Sequence, residues 1–369
     1  MRARSPSAPS SGEPKRRSRR AVTVLGGGNG TSAVLRGLVG LVKSGEDLDI
    51  TAIVATADDG GSSGRIRRQQ GGLPPGDLRQ CLQALARSGD QSFARLLDHR
   101  YEGSGELAGH ALGNLVLLGL AEQHGSYLRA LVVAGEMADA LGRVLPVSLA
   151  CLRLVGVTKD GHRLRGETRI GNAPATMHRV RLSPSDAPPS PGVIDRIRGA
   201  DLVVVGPGSL FTSILPVLLV TGVVDAVRHS RGERVMVANL MTQPGETAGM
   251  SLPDHLEALD RHVGPDLVRV VLAHDRALDP ARLAPYVRQR SEPVLIDGLD
   301  GRGERVVTAD LVTPSGKVRH DPDRVARALL TLMDVRSEVS ENKGMPLRSP
   351  RASSTVGLGV PDIAKEGMH

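Results

Sequence analysis

Short β-branched apolar runs alternating with helical patterns predict an α/β fold: a mostly parallel sheet with helices on both faces and a small antiparallel hairpin insert. Three observations carry this expectation. Runs such as AVTVL at Ala21–Leu25 and DLVVV at Asp201–Val205 lack the in–out alternation of a half-exposed strand, so both of their faces must be covered. Each is followed by a glycine turn and then a helical pattern. The stretch Ser148–Leu182 differs, with alternating short runs around the turn dipeptide Asp160-Gly161, as in an antiparallel hairpin.

Taken in order, Ala21–Leu25 is the first strand, and a helix is expected over about Thr31–Lys43. ITAIVAT at Ile50–Thr56 is the second strand and ends in a polar, glycine-rich loop. Helical patterns cover Asp77–Ser88, Gln91–His99, His110–Gln123 and Ser126–Leu141. Further buried strands are expected at Asp201–Val205, Val235–Asn239, Leu267–Ala273 and Val294–Ile296. Residues 1–20 and 336–369, rich in Ser, Pro and charge and without periodicity, are expected to be disordered tails. Between them, 21–335 reads as a single domain with the insert at about 148–182.

Charge and composition narrow the function classes. The 369-residue chain has a formal charge of +7 and a pI near 9.9. Residues 1–20 carry seven basic side chains against Glu13 alone, whereas 21–335 is neutral. The basicity is a property of the tail, so no nucleic-acid partner is expected for the folded domain. The tail is expected to be dispensable for ligand binding and to touch a membrane surface or a partner. With no Trp, three Tyr and two Phe, the core must be aliphatic, and the base-stacking platforms of single-strand binders are missing. Two cysteines, Cys81 and Cys151, fit a reducing compartment. The longest apolar run, Ile214–Val224, is interrupted by Pro216 and Gly222 and falls short of the ~20 residues of a spanning helix. Ala21–Leu25 is too short for a secretory apolar region, so a cytoplasmic protein is expected.

Four loops after predicted strands carry the chemistry. Gly26-Gly27-Gly28-Asn29-Gly30 lets the backbone approach a phosphate at a helix N-terminus, and Gly28–Ala33 also fits the dinucleotide fingerprint G-x-G-x-x-A. Asp58-Asp59 can hold a divalent cation, while Gly61, Ser62 and Ser63 can wrap a phosphate. Gly208, Ser209 and Thr212 form a second glycine loop with hydroxyl donors, and Asn239 and Thr242 belong to a fourth polar loop. Because parallel strands share one carboxyl edge, these loops should meet in one crevice of nucleotide or phosphosugar size. Asp77, in Pro-Pro-Gly-Asp, is either a helix cap or a partner for metal or phosphate. His110 and Asn114 share a helix face, and spacing alone makes them no more than core-edge polar residues.

The strings GGGNGTSAVLRGL, ATADDGGSSGRIR, PPGDLRQCLQALA, GHALGNLVL, GPGSLFTSILP and NLMTQPGET, in that order, closely resemble the YvcK branch of the CofD-like family. The resemblance spans roughly 21–335 and implies a Rossmann-like fold. For the YvcK branch, the gluconeogenesis factors, it implies a cytoplasmic regulator that binds UDP-sugars such as UDP-N-acetylglucosamine. Such a regulator supports cell shape and envelope synthesis during gluconeogenic growth, without a required cofactor and through a protein partner in cell-wall synthesis. A homodimer is the default expectation. The alternative is the related 2-phospho-L-lactate transferase chemistry on a deazaflavin, in which Asp58, Asp59 and Asp77 would hold Mg²⁺. By motif, the ligand would be held by Gly27, Gly28, Asn29, Gly30, Asp58, Asp59, Gly61, Ser62, Ser63, Asp77, His110, Asn114, Gly208, Ser209, Thr212, Asn239 and Thr242. A nicotinamide oxidoreductase would use only the first glycine loop and leave the other motifs without a role.

Overall fold

A computed structural model describes residues 19–87, 92–173, 176–299, 302–341 and 356–357. The strands are β1 (Arg20–Gly26), β2 (Leu48–Val54), β3 (Gly142–Pro146), β4 (Arg153–Thr158), β5 (Arg163–Arg165), β6 (Met177–Ser183), β7 (Leu202–Val205), β8 (Glu233–Val237), β9 (Val270–His274), β10 (Arg305–Ala309) and β11 (Val356–Gly357). From the N-terminus the helices are α1 (Gly28–Lys43), α2 (Gly61–Gln70), α3 (Gly76–Leu85), α4 (Ser92–Asp98), α5 (Leu112–His124), α6 (Tyr127–Met137) and α7 (Glu167–Gly171). There follow α8 (Val193–Arg198), α9 (Leu215–Leu218), α10 (Val223–Arg228), α11 (Leu252–Val263), α12 (Pro280–Arg288) and α13 (Pro322–Glu341). A π-helical turn, Leu210–Ile214, leads into α9.

The main sheet is parallel throughout, in the order β11-β10-β9-β8-β7-β1-β2-β3. From β1 the chain builds outward through β2 and β3, then returns to β1's other side with β7 and continues away. The direction therefore reverses between β1 and β7, which is where α/β sheets open a crevice. Both faces are covered, as the unbroken apolar strands require. On one side Val22, Val24, Ile50, Val204 and Leu272 pack under α1, α3 and α13 through Leu35, Leu38, Leu78 and Leu329. On the other, Leu25, Ile53, Val203, Val205 and Val271 meet Phe211, Leu215, Leu256 and the inward side of a separate sheet, Leu154, Val180 and Leu182. Each such side chain contributes about 1.5–3 kcal/mol of burial, so an aliphatic core suffices. The insert is a three-stranded antiparallel sheet, β5-β4-β6.

Several expectations shift. Gly61–Gln70, expected as a loop, is helical, because tertiary contacts override the poor helix propensity of Gly-Ser-Ser-Gly. A Cβ on Gly64 would lie 1.9 Å from the Asp59 carbonyl oxygen, so this helix start packs too closely for any other residue. Val294–Ile296 is not a strand; only an isolated bridge joins Pro293 to Met241, and Leu295 is exposed. The place beside β9 belongs to β10 instead. The C-terminal boundary also moves, since α13 continues to Glu341 and β11 pairs with β10. Arg20 begins β1 and ion-pairs with Glu46 and Asp334, so it belongs to the fold rather than to the tail. Residues 1–18 lie outside the described residues. Among the described residues no helix is long and apolar enough to cross a membrane.

Candidate functional site

The loops after β1 and β7 are in van der Waals contact at the switch point. A Cβ on Gly30 would lie 2.3 Å from the Pro207 carbonyl oxygen, and one on Gly208 would lie 3.5 Å from the Gly27 carbonyl oxygen. α1 begins on the crevice with glycine at its N-cap position, and the side chain that meets its first N–H comes from outside the helix, from Asp77. Asn239 locks the second loop: its amide accepts from the Gly208 N–H at 3.1 Å and donates to the Gly208 carbonyl at 2.9 Å. Around these loops lies a cleft of about 580 Å³. Of the residues expected from sequence, it is lined by Gly27, Gly28, Asn29, Gly30, Asp77, Gly208, Ser209, Asn239 and Thr242. Thr242 is buried and bonds across the loop to residues 291 and 292, so its hydroxyl is already engaged.

Carboxylates form the floor. Asp77 accepts from the Gly28 N–H, yet burial and the nearby Asp58 carboxylate push it from 3.8 up to about 7. A Cβ on Gly27 would sit 2.3 Å from the Asp77 carboxylate, so glycine is what lets this acid reach the helix start. Glu167, at the beginning of α7, also lines the cleft. Burial, a hydrogen bond shared with Asp58, and the charges of Asp58, Asp77 and Glu246 raise its pKa well above the usual carboxylate range. Glu167 is therefore held protonated at neutral pH, hydrogen-bonded to Asp58.

The other expected residues are brought near but turned to structural work. Asp59 points away from the cleft, accepting from the Thr168 N–H at 2.9 Å and the Thr168 hydroxyl at 2.8 Å. It anchors α7, and hence Glu167. Asp59→Ala is expected to cost about 1–2 kcal/mol, read as a lower thermal midpoint, because two charge-assisted bonds at a helix start are lost. Ser62, His110 and Asn114 form a buried trio: Ser62 Oγ to His110 Nδ1 is 3.0 Å, and Asn114 donates to Ser62 Oγ at 2.9 Å. Burial, Arg65 and Arg100 lower the His110 pKa, so this ring is neutral at pH 7. Ser63 accepts from the Gly76 N–H at 3.0 Å, fixing the start of α3, and Gly61 opens α2 in a left-handed conformation. Thr212 donates to buried Glu246 at 2.8 Å rather than facing the cleft. Cys81 is a buried free thiol packed in the core.

A family model described as 2-phospho-L-lactate transferase CofD matches residues 22–312. The chain belongs to the CofD family. It is 39% identical over 312 residues to the gluconeogenesis factor of Halalkalibacterium halodurans, covering 84% of this chain and 95% of that one. Identity to the gluconeogenesis factor of Bacillus subtilis is 37% over 315 residues, covering 85% and 98%. A crystal structure of a UPF0052 family member from Bacillus halodurans superposes with a TM-score of 0.79 at 39% identity, covering 84% of this chain and 99% of that one.

In this CofD-family chain the cleft contains groups that sequence reasoning missed. Arg36 and Arg319 line it, and neither guanidinium has a partner among the described residues. Desolvation and then the Arg319 charge lower the Arg36 pKa, as for two cations lining one cleft. Arg36 was within reach of the sequence, since Asn29, Ala33 and Arg36 follow the i, i+4, i+7 spacing of one helix face. Gln80 and Gln243 present buried side-chain oxygens without partners, both on the cleft wall. The expected Mg²⁺ set does not come together, because Asp59 is spent on Thr168. Among the described residues no group of three His, Cys, Asp or Glu side chains is arranged to hold a metal ion.

Proposed function

We propose that the cleft binds a UDP-sugar, UDP-N-acetylglucosamine in the first instance, and that the chain is a cytoplasmic, non-catalytic regulator. On this reading it supports envelope synthesis and cell shape during gluconeogenic growth, through a protein partner and without a required cofactor. The observation that carries the reading is the pairing of two touching glycine loops at the start of α1 with two unpaired arginines, Arg36 and Arg319. Backbone N–H groups suit a diphosphate, and guanidinium forks suit its second anionic or acceptor-rich end. The unpartnered oxygens of Gln80 and Gln243 suit ligand donors such as a uracil N–H or sugar hydroxyls. The names of the relatives support the gluconeogenic setting.

Calorimetry tests this with the full chain. UDP-N-acetylglucosamine is expected to bind wild type at one site per chain, and Arg36→Ala to weaken binding at least about tenfold, as loss of a charge-assisted contact does. Asn29→Ala is expected to weaken it less, through one neutral hydrogen bond. No heat with wild type would sink the proposal.

A second reading has one observation in its favour. The protonated Glu167, hydrogen-bonded to Asp58 and beside Asp77, is what a transferase would use to move a proton at the reacting oxygen. Product from a deazaflavin acceptor and an activated lactyl donor with Mg²⁺ would support it. The misplacement of Asp59 argues against Mg²⁺ held as the sequence suggested.

A further inference from the structure

The antiparallel insert carries a second surface, away from the cleft. Its inward side chains, Leu154, Val180 and Leu182, join the core. Its outward face repeats one pattern in two rows. Arg165, Val155 and Arg181 lie side by side across β5, β4 and β6, and Arg163, Val157 and Arg179 form the next row. Adjacent strands are ~4.8 Å apart and residues two apart on a strand ~6.8 Å, so the four arginines mark a rectangle of roughly 10 by 7 Å around two valines. The arginines are exposed and the valines half-exposed. No carboxylate pairs with any of the four among the described residues. Arg179 donates only to the Arg261 carbonyl at 3.4 Å, and Glu257, which could have approached, is taken by Arg261. Beside the valines opens a groove of about 340 Å³, bounded further by Leu219 and His262.

Folding alone gives no reason for this face. Each arginine faces a valine rather than another arginine, so their repulsion is weak, but among the described residues no carboxylate offsets it. Charge on an edge strand discourages aggregation, which accounts for Arg163 and Arg165 on β5. It does not account for Arg179 and Arg181, because the outer edge of β6 is closed by α11, whose His262 accepts from the Val180 N–H at 2.9 Å.

We propose that this face docks an extended acidic segment of a partner protein, with carboxylates on the arginines and an apolar side chain in the valine groove. Charge complementarity and spacing argue for this occupant. Side chains two apart on an extended peptide repeat at ~6.8 Å, the spacing of the arginine rows. A nucleic-acid backbone would use the arginines but gain nothing from Val155 and Val157, and among the described residues no Phe or Tyr stands on this face for a base to stack on.

The test uses the full chain and a fluorescein-labelled peptide with glutamates alternating with valines at its centre, followed by polarisation at low and physiological salt. Saturable binding is expected, weakened at least tenfold by Arg163→Glu combined with Arg181→Glu, and severalfold by Val155→Ser. Unchanged melting curves would show that the variants fold; were the double variant unfolded, Val155→Ser and Arg163→Ser would carry the comparison. Absent peptide binding, or equal binding by the charge-reversed chain, overturns the proposal. So does a thymidine oligonucleotide or a phosphatidylglycerol vesicle that binds more tightly than the peptide and ignores Val155→Ser.

Discussion

Gly30→Ala is expected to abolish binding of UDP-N-acetylglucosamine and to lower the thermal midpoint by several degrees. The added Cβ would stand 2.3 Å from the Pro207 carbonyl oxygen and 2.7 Å from its carbon. Both are main-chain atoms of the opposing loop, which Asn239 holds in place through Gly208, so neither yields as a flexible side chain would. The loops must part, and overpacking of this kind costs about 1–3 kcal/mol. For a chain of this size that is ~2–4 °C per kcal/mol. Parting the loops also separates the N–H groups that would hold one diphosphate, so affinity falls further than stability. Gly119→Ala is the matched control: it lies inside α5 with nothing within 4 Å of the new Cβ, and it should stabilise slightly. Wild-type affinity and midpoint in Gly30→Ala would show that the loop contact does not govern the cleft.

Asp77→Asn should have the second largest effect, and its sign depends on pH. The carboxyl rises from 3.8 to about 7 on folding, so the folded chain holds this proton more tightly than the unfolded one. The associated stability is fully present below about pH 4 and is lost as pH rises through about 7. The shift corresponds to on the order of 4 kcal/mol as an upper figure. Asn cannot ionise, so Asp77→Asn is expected to raise the midpoint at pH 8 and change it little at pH 4. Ligand affinity should follow the same group. The ionised carboxylate sits on the Gly28 N–H, where a diphosphate would bind, and repels it. Affinity in wild type should therefore weaken from pH 6 to pH 8, and Asp77→Asn should flatten that dependence. A flat profile in wild type would show that Asp77 does not adjoin the bound diphosphate.

Strands β1, β2, β7, β8 and β9 were legible because both faces of the sheet are buried and these strands are apolar runs, whereas β3 and β10, short and carrying arginine, were not. The two glycine loops were legible for a related reason: a phosphate-sized approach needs glycine at fixed offsets after a strand, as at Gly27 and Gly208. What sequence could not separate was an acid that faces the ligand from one that supports it. Asp58 and Asp59 are adjacent, yet one hydrogen-bonds Glu167 on the cleft floor while the other anchors α7. Glu167 itself lies in the antiparallel insert, more than a hundred residues from Asp58, and no local pattern marks it as a cleft residue. His110, Asn114 and Ser62 follow the family strings but form a buried bracket between α2 and α5, a distinction that only packing reveals. The neutral total charge of 21–335 also concealed its distribution, because the outward face of the insert is basic and other surfaces compensate.

The short distance from Arg165 to Glu167 makes the insert and the cleft parts of one lever. β5 ends at Arg165, Gly166 turns, and α7 begins with the acid that reaches the cleft floor. Were a partner on the proposed face to move β5, Glu167 and its hydrogen bond to Asp58 would move with it. Linkage then runs both ways: whatever factor the partner imposes on the affinity for a nucleotide sugar, the nucleotide sugar imposes on the affinity for the partner.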